Sequence, residues 1–195
     1  MMIQDIEPHR LYNQYDPAAS PRPEDTVLLL RGASVAVRTE AGVSFPTVRE
    51  LPAALRESLF YLFAVDDERY FLCHDTETEL PGYPFTDLKK LREAEPLPKY
   101  RVFAALTGKH LADWYRDTRF CGRCGSAMGH SVKERAMVCP QCGYTAYPRI
   151  MPAVIVGVIN GDRLLLTRYS RGYNHNALIA GFTEIGETVE QTVAR

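Results

Sequence analysis

The sequence predicts three successive units: a β-rich α+β domain over residues 1–117, a small cysteine module over 118–147, and the first part of a further α/β domain over 148–195. Apolar, β-branched runs separated by turn residues, together with one stretch of helical period, indicate the first unit. Two close pairs of cysteines indicate the second. A strand pair that leads into a glycine-rich loop and a helix start indicates the third.

The composition excludes several classes of protein. Hydrophobic residues make up 46% and charged residues 24%, which is typical of a folded domain. The 23 basic and 24 acidic residues nearly cancel, so no overall field favours nucleic acid or an anionic membrane as the main partner. The longest apolar stretch, 151–159, is far shorter than the ~20 residues that cross a bilayer. With cysteines paired as in metal sites, we expect a cytoplasmic protein that does not bind membranes.

The first unit is predicted from its strands. Residues 27–30 and 34–37 form two strands joined by a turn at a glycine, and residues 61–65 and 70–73 form a hairpin. Apolar residues in 102–115 then recur with the period of a helix. No pattern in this unit indicates its chemistry.

The cysteine module has the spacing of a metal site. Cys121 and Cys124 are separated by two residues, as are Cys139 and Cys142, and fourteen residues lie between the pairs. Four thiolates complete a tetrahedral zinc shell and leave no position for substrate, so we predict a structural zinc ion. A redox disulfide and four cysteines packed in a core are the alternatives. Zinc is favoured over the first because a redox site needs only one pair.

The third unit contains a catalytic pattern. Strands at 153–159 and 163–167 are followed by a strand at 177–182, a loop, and a helix that begins near residue 188. Gly181 is followed after five residues by Glu187, and Glu187 after seven by Arg195. This spacing resembles the first half of the Nudix box, in which a glycine loop opens a helix that carries metal-binding carboxylates.

The order of ribbon, strand hairpin and half-box resembles the NADH pyrophosphatase (NAD diphosphatase) family of Nudix hydrolases. The resemblance implies a zinc ribbon followed by an α/β/α Nudix domain, here incomplete because the sequence stops within the box at Arg195. It implies hydrolysis of NADH or NAD⁺ to nicotinamide mononucleotide and AMP, with NAD-capped RNA as a further substrate. It also implies Mg²⁺ or Mn²⁺ as the catalytic cofactor and a homodimer.

The same resemblance implies roles for residues around the box. Ala180 would offer its backbone carbonyl to a divalent cation, Glu187 would brace the glycine loop, and Arg195 would orient the catalytic carboxylates. The family's main catalytic glutamates fall beyond Arg195. We therefore expect that the 195-residue chain alone does not hydrolyse NADH.

Four further residues match substrate-contacting positions of the family. Tyr147 and Phe182 would stack on a nucleobase or nicotinamide ring, Arg92 would meet a phosphate, and Glu134 would meet a ribose hydroxyl or an amide. Without the resemblance, Phe182 and Tyr147 could equally be packing residues, and Arg92 and Glu134 would be read as solvated surface charges. Two other functions stay open: a zinc-ribbon module that binds RNA or a protein, and a nucleotide sensor without catalysis.

Overall fold

The chain forms two compact units in a computed structural model, residues 1–148 and 149–195. The structure describes residues 3–40, 42–74, 77–93 and 98–195. In those ranges no helix combines the length and the apolar character needed to cross a membrane.

The first unit is built on a mixed six-stranded sheet. Its strands are β1 (Leu11–Tyr12), β2 (Thr26–Arg31), β3 (Ser34–Ala36), β4 (Phe60–Val65), β5 (Glu68–Cys73) and β6 (Phe85–Asp87). They lie in the order β1-β4-β5-β2-β3-β6. Strands β2 and β5 are parallel, and the other neighbours are antiparallel. The predicted strands and the predicted hairpin are therefore present, but the parallel pair that joins them is a tertiary feature.

Helices cover both faces of this sheet. They are a 3₁₀ turn (Val48–Glu50), α1 (Ala53–Arg56), α2 (Leu88–Glu93) and α3 (Lys99–Asp117). Alternate residues of β2 enter different cores: Leu28 packs in the cluster that contains α3, and Val27 packs in the cluster that contains Val48. A strand buried on both faces reads as a continuous apolar run, which explains the sequence of β2.

Helix α3 approaches the sheet closely through a glycine. A Cβ atom at Gly108 would collide with the side chain of Leu28. A larger residue at this crossing would force the buried Leu28 side chain to shift, so Gly108 allows α3 to pack closely on β2.

The cysteine module is part of the first unit. It forms a three-stranded antiparallel sheet of β7 (Gly129–His130), β8 (Met137–Val138) and β9 (Thr145–Ala146). Met137 is buried in the same core as α3. Arg135 donates to the Leu62 carbonyl at 2.5 Å, and the Tyr15 hydroxyl donates to the Ser131 carbonyl at 2.6 Å. The ribbon therefore shares a hydrophobic core with the sheet and α3. The predicted boundary between residues 117 and 118 stays a prediction.

The second unit contains short strand pairs and one helix. Its elements are β10 (Ala153–Val156), β11 (Ile159–Asn160), β12 (Arg163–Leu164), β13 (Thr167–Arg168), β14 (Asn176–Ala177), β15 (Ile179–Phe182) and α4 (Val189–Ala194). Strand β10 pairs with β15, β11 with β12, and β13 with β14, all antiparallel. The predicted turn near Asn160 and the predicted helix start are present, but the strands predicted over 153–159 and 163–167 are each interrupted, and β10 pairs with β15. The protein is thus a mixed α+β structure with a four-cysteine ribbon.

Candidate metal centre and nucleotide site

The four cysteines converge on one point. Their sulfur atoms all lie within 4.8 Å of one another, and Cys121 Sγ lies 3.6 Å from Cys142 Sγ. Cys124 Sγ lies 3.5 Å from Cys139 Sγ. A disulfide bond is about 2.05 Å long, whereas sulfurs around a tetrahedral zinc ion with bonds of about 2.3 Å lie about 3.8 Å apart. The cluster therefore fits a zinc ion, and the disulfide alternative does not match the geometry.

Each cysteine pair is shaped by its backbone in the same way. The amide of Gly125 donates to the Cys121 carbonyl at 2.8 Å, and the amide of Gly143 donates to the Cys139 carbonyl at 3.0 Å. Both glycines have positive φ, 77° and 70°, a conformation that residues with a Cβ rarely adopt. The two knuckles are thus local structures that their own sequences specify.

Hydrogen bonds favour the thiolate form of Cys121 and Cys124. The Arg123 amide donates to Cys121 Sγ at 3.4 Å, and backbone hydrogen bonds lower the pKa of Cys121 against the opposing effect of burial. The hydrogen bond between the Ser126 hydroxyl and Cys124 Sγ is the main reason that the pKa of Cys124 is lowered to about 6. Against a backbone hydrogen bond from Tyr144, burial and hydrogen bonds with the other three cysteines raise the pKa of Cys142 to about 12. A Zn²⁺ ion bound by all four sulfurs would stabilise their thiolate forms. We assign this cluster as the structural zinc site.

In the second unit, Glu187 and Arg195 form a clamp around the start of α4. Arg195 Nε donates to Glu187 Oε1 at 2.7 Å, and Arg195 Nη2 donates to Glu187 Oε2 and to the Phe182 carbonyl, both at 3.0 Å. The Glu184 amide and the Thr192 hydroxyl also donate to Glu187 Oε2, each at 3.0 Å. These bonds, with that of Arg195 the strongest, lower the pKa of Glu187 to about 2.

The helix start itself is fixed by a capping box. The Gln191 amide donates to Thr188 Oγ1 at 3.2 Å, and the Thr188 amide donates to Gln191 Oε1 at 2.8 Å. Gly186, with φ of 92°, turns the chain immediately before it. Local sequence therefore sets both where α4 begins and which way Glu187 points.

The Glu187 carboxylate is engaged within the clamp, where both of its oxygens accept hydrogen bonds. Over the ranges described, the four cysteines form the only group of three or more cysteine, histidine or acidic residues that converge as metal ligands. Ala180 lies in β15, opposite Ile155. Its carbonyl alone does not make a cation site.

The predicted substrate-contacting residues fall in both units. Glu134 and Tyr147 are brought together in the ribbon, where the Tyr147 hydroxyl donates to Glu134 Oε1 at 2.9 Å. This bond and the charge of Glu134 raise the pKa of Tyr147. The rings of Tyr147 and Phe182 are 54% and 65% exposed, so neither is a core residue. Arg92 is an exposed residue of α2.

A concave site in the first unit was not anticipated from the sequence. It is lined by side chains from β5, α3 and the ribbon, among them His74, Arg119 and His130. These residues are far apart in sequence and belong to no motif. No pattern in the sequence could have grouped them.

Comparison with known proteins supports the family resemblance. Residues 116–147 match the NADH pyrophosphatase zinc ribbon domain. The chain is 37% identical over 162 residues to the NAD-capped RNA hydrolase NudC of Stutzerimonas stutzeri (strain A1501), covering 80% of this chain and 57% of that protein. It is 39% identical over 127 residues to the protein of that name from Pseudomonas aeruginosa (strain LESB58), covering 65% and 45%.

A third relative has the same name and is also matched over only part of its length. The NAD-capped RNA hydrolase NudC of Enterobacter sp. (strain 638) is 41% identical over 110 residues, covering 56% of this chain and 43% of the relative. The chain thus spans about half the length of the curated relatives it matches. The resemblance to the NADH pyrophosphatase family of Nudix hydrolases, predicted from the sequence, is confirmed.

Proposed function

We propose that this chain belongs to a NAD(H) diphosphatase that hydrolyses NADH or NAD⁺ to nicotinamide mononucleotide and AMP, and that also removes the NAD cap of RNA. The observation that carries the proposal is the Glu187–Arg195 clamp at a capped helix start, downstream of a ribbon that matches the NADH pyrophosphatase type. The similarity to proteins named NAD-capped RNA hydrolases supports the choice of substrate class.

In this proposal Glu187 and Arg195 are positioning residues. The clamp ties the loop between β15 and α4 to the helix, because Arg195 bonds both to Glu187 and to the Phe182 carbonyl. A loop fixed at both ends holds the backbone where a diphosphate and its cation must bind. In the proposal Glu187 braces the loop, and Arg195 orients the catalytic carboxylates.

A divalent cation, Mg²⁺ or Mn²⁺, is part of the proposal. Such a cation would bridge the diphosphate and lower the pKa of the attacking water. The Ala180 carbonyl is the ligand that we assign to it in this chain. Hard cations of this kind need several oxygen ligands, so carboxylates beyond those described must complete the site.

Recognition of the substrate rings and polar groups is assigned to four residues. The exposed rings of Tyr147 and Phe182 offer flat faces for a base or nicotinamide. The hydrogen bond from Tyr147 to Glu134 orients that ring and leaves the second carboxylate oxygen for a ribose hydroxyl or amide. The guanidinium of Arg92 is suited to a phosphate.

Three broader features complete the proposal. We assign residues 148–195 to part of an α/β/α Nudix domain. We further propose that the protein acts in the cytoplasm and as a homodimer. Size-exclusion chromatography with light scattering would test the dimer, and a mass equal to one chain would contradict it.

Hydrolysis is best tested on the longest protein that the gene encodes, incubated with NADH and Mg²⁺ or Mn²⁺. We expect AMP and reduced nicotinamide mononucleotide in equal amounts, resolved by liquid chromatography. Phe182→Ala should weaken turnover at low NADH by about fivefold to about 150-fold, since base stacking on an aromatic ring contributes about 1–3 kcal/mol.

Ile185→Ala is the matched control, because Ile185 lies in the same loop and its side chain is fully exposed. Equal loss in both variants would contradict a specific role for Phe182. Absence of AMP with every cation tested would overturn the proposed function.

A further inference from the structure

A cavity lies in the first unit. The cavity has a volume of about 500 Å³, within the range of about 300–1,000 Å³ that is usual for small-molecule sites. It lies where β5, the C-terminal half of α3 and the ribbon strands β7 and β8 meet. None of the residues assigned above to hydrolysis lines it.

One wall of the cavity is aromatic. His74, Tyr115 and His130 line it, and Phe60 packs behind them. The His130 ring centroid lies 4.2 Å from that of Phe60 and 5.0 Å from that of Tyr115. The floor adds apolar side chains, including Met128 and Leu72. Flat rings beside polarisable apolar groups suit a planar heterocycle.

The charged lining is predominantly cationic. Lys109, Arg116 and Arg119 line the cavity together with one carboxylate, Asp113. Asp113 pairs with Lys109 and, at 2.7 Å, with Arg116. Within the described residues, Arg119 has no carboxylate partner. The Arg119 guanidinium carbon lies 6.0 Å from the centroid of the Phe120 ring. Its N–H groups are donors suited to an anion.

Arg119 lies close enough to the aromatic wall for its positive charge to act on His74. Its carbonyl accepts from the Met128 amide at 2.9 Å, which fixes this part of the chain beside the ribbon. Its charge acts on His74: desolvation lowers the pKa of that ring, and Arg119 lowers it further. Desolvation likewise lowers the pKa of His130. Neutral imidazoles each offer one donor and one acceptor, which suit the hydroxyl and amide groups of a nucleoside.

We propose that this cavity binds a nucleoside monophosphate, with its phosphate on Arg119 and its base against the exposed rings of His74 and His130, against which the buried Tyr115 packs. Arginine binds phosphate oxygens in a bidentate manner, and the aromatic wall supplies the face for the base. The site is separate from the proposed hydrolase site and does not depend on hydrolysis. It gives the first unit a ligand of its own.

The test is a titration of the 195-residue chain with AMP, followed by NMR of its histidine side chains. We expect AMP to shift the His74 and His130 signals and to leave that of the exposed His175 unchanged. Inorganic phosphate and adenosine should each bind at least tenfold more weakly, because each lacks half of the recognised groups. If adenosine binds as tightly as AMP, the role of Arg119 is wrong. If inorganic phosphate binds as tightly as AMP, the aromatic wall has no role.

Substitutions give an independent test. Arg119→Gln should weaken AMP binding at least tenfold, whereas Arg22→Gln, an exposed loop arginine outside the cavity, should not change it. Zinc content and thermal unfolding establish that both variants are folded, and Arg119→Lys, which keeps the charge, should recover part of the affinity. Unchanged binding in Arg119→Gln would overturn the proposal.

AMP is also a proposed product of hydrolysis, so the two sites must be distinguished. Phe182→Ala should leave the AMP shifts of His74 and His130 unchanged. Loss of these shifts in Phe182→Ala would contradict a separate site. Failure of NADH hydrolysis with intact histidine shifts would contradict only the proposed function.

Discussion

The zinc ribbon and the Glu187–Arg195 clamp are both built from short sequence motifs, but they differ in how complete they are. The ribbon contains all four of its metal ligands within residues 121–142, and two backbone knuckles aim them at one point. The clamp fixes a loop and a helix start, yet Glu187 uses both carboxylate oxygens to do so. A structural metal site can be closed locally, whereas a catalytic site needs groups from several elements and positions left open for substrate.

The largest effect is expected when one sulfur ligand of the ribbon is removed, because the ribbon holds its metal with these four ligands alone. Cys139→Ser should reduce zinc from one equivalent to substoichiometric levels and should abolish the cooperative unfolding of the first unit. Structural zinc contributes on the order of 10 kcal/mol in small metal-dependent folds, comparable with the ~5–15 kcal/mol stability of a whole domain. Elemental analysis and circular dichroism measure the two effects.

Cys73→Ala is the matched control, because Cys73 is fully buried in the sheet and is not part of the sulfur cluster. It should retain one zinc per chain and lose only the stability expected for a small cavity. Full zinc content in Cys139→Ser would contradict the assignment.

The clamp should respond to substitution locally. In Arg195→Gln we expect the pKa of Glu187 to rise from about 2 towards its ordinary value, because the hydrogen bond from Arg195 is the main cause of the shift. Amide exchange at Glu184 and in α4 should become faster, while the zinc content stays unchanged. Carboxyl NMR titration measures the pKa. A Glu187 pKa that remains near 2 would show that the loop is braced without Arg195.

The pH dependence of α4 follows from the same bond. Because the pKa of Glu187 is lower in the folded chain than its ordinary value of 4.5, the clamp stabilises the folded loop above about pH 4.5. This contribution is lost as the pH falls through about 2. Amide signals of α4 should therefore broaden or shift between these values in the wild type and not in Glu187→Gln.

The smallest effect is expected at the ribbon's aromatic ring. Tyr147→Phe removes the hydrogen bond to Glu134 but keeps the stacking face, so NADH binding should weaken by less than about tenfold, the worth of one ordinary hydrogen bond. Tyr147→Ala should have a larger effect, since it removes the ring. Isothermal titration with NADH would compare them. If the two variants lose the same NADH affinity, the hydroxyl of Tyr147 and not its ring contributes to binding.

Several elements could be predicted from sequence because their causes are local. The spacing of Cys121 and Cys124 with a following glycine specifies a knuckle, and Thr188 with Gln191 specifies a helix start. The hairpin of β4 and β5 needs only the two-residue turn Asp66-Asp67 between two apolar strands. Roles for Arg92, Glu134, Tyr147 and Phe182 came from the family resemblance and stay predictions.

The sequence by itself predicted the four cysteines, the strands of the first unit and the start of α4, since each depends on residues close together in the chain. Only the tertiary structure decided that β2 pairs in parallel with β5, that Arg135 bonds the ribbon to the Leu62 carbonyl, and that His74, Arg119 and His130 share a cavity. These features bring distant segments together. Their stability comes from packing and hydrogen bonds that no local pattern encodes.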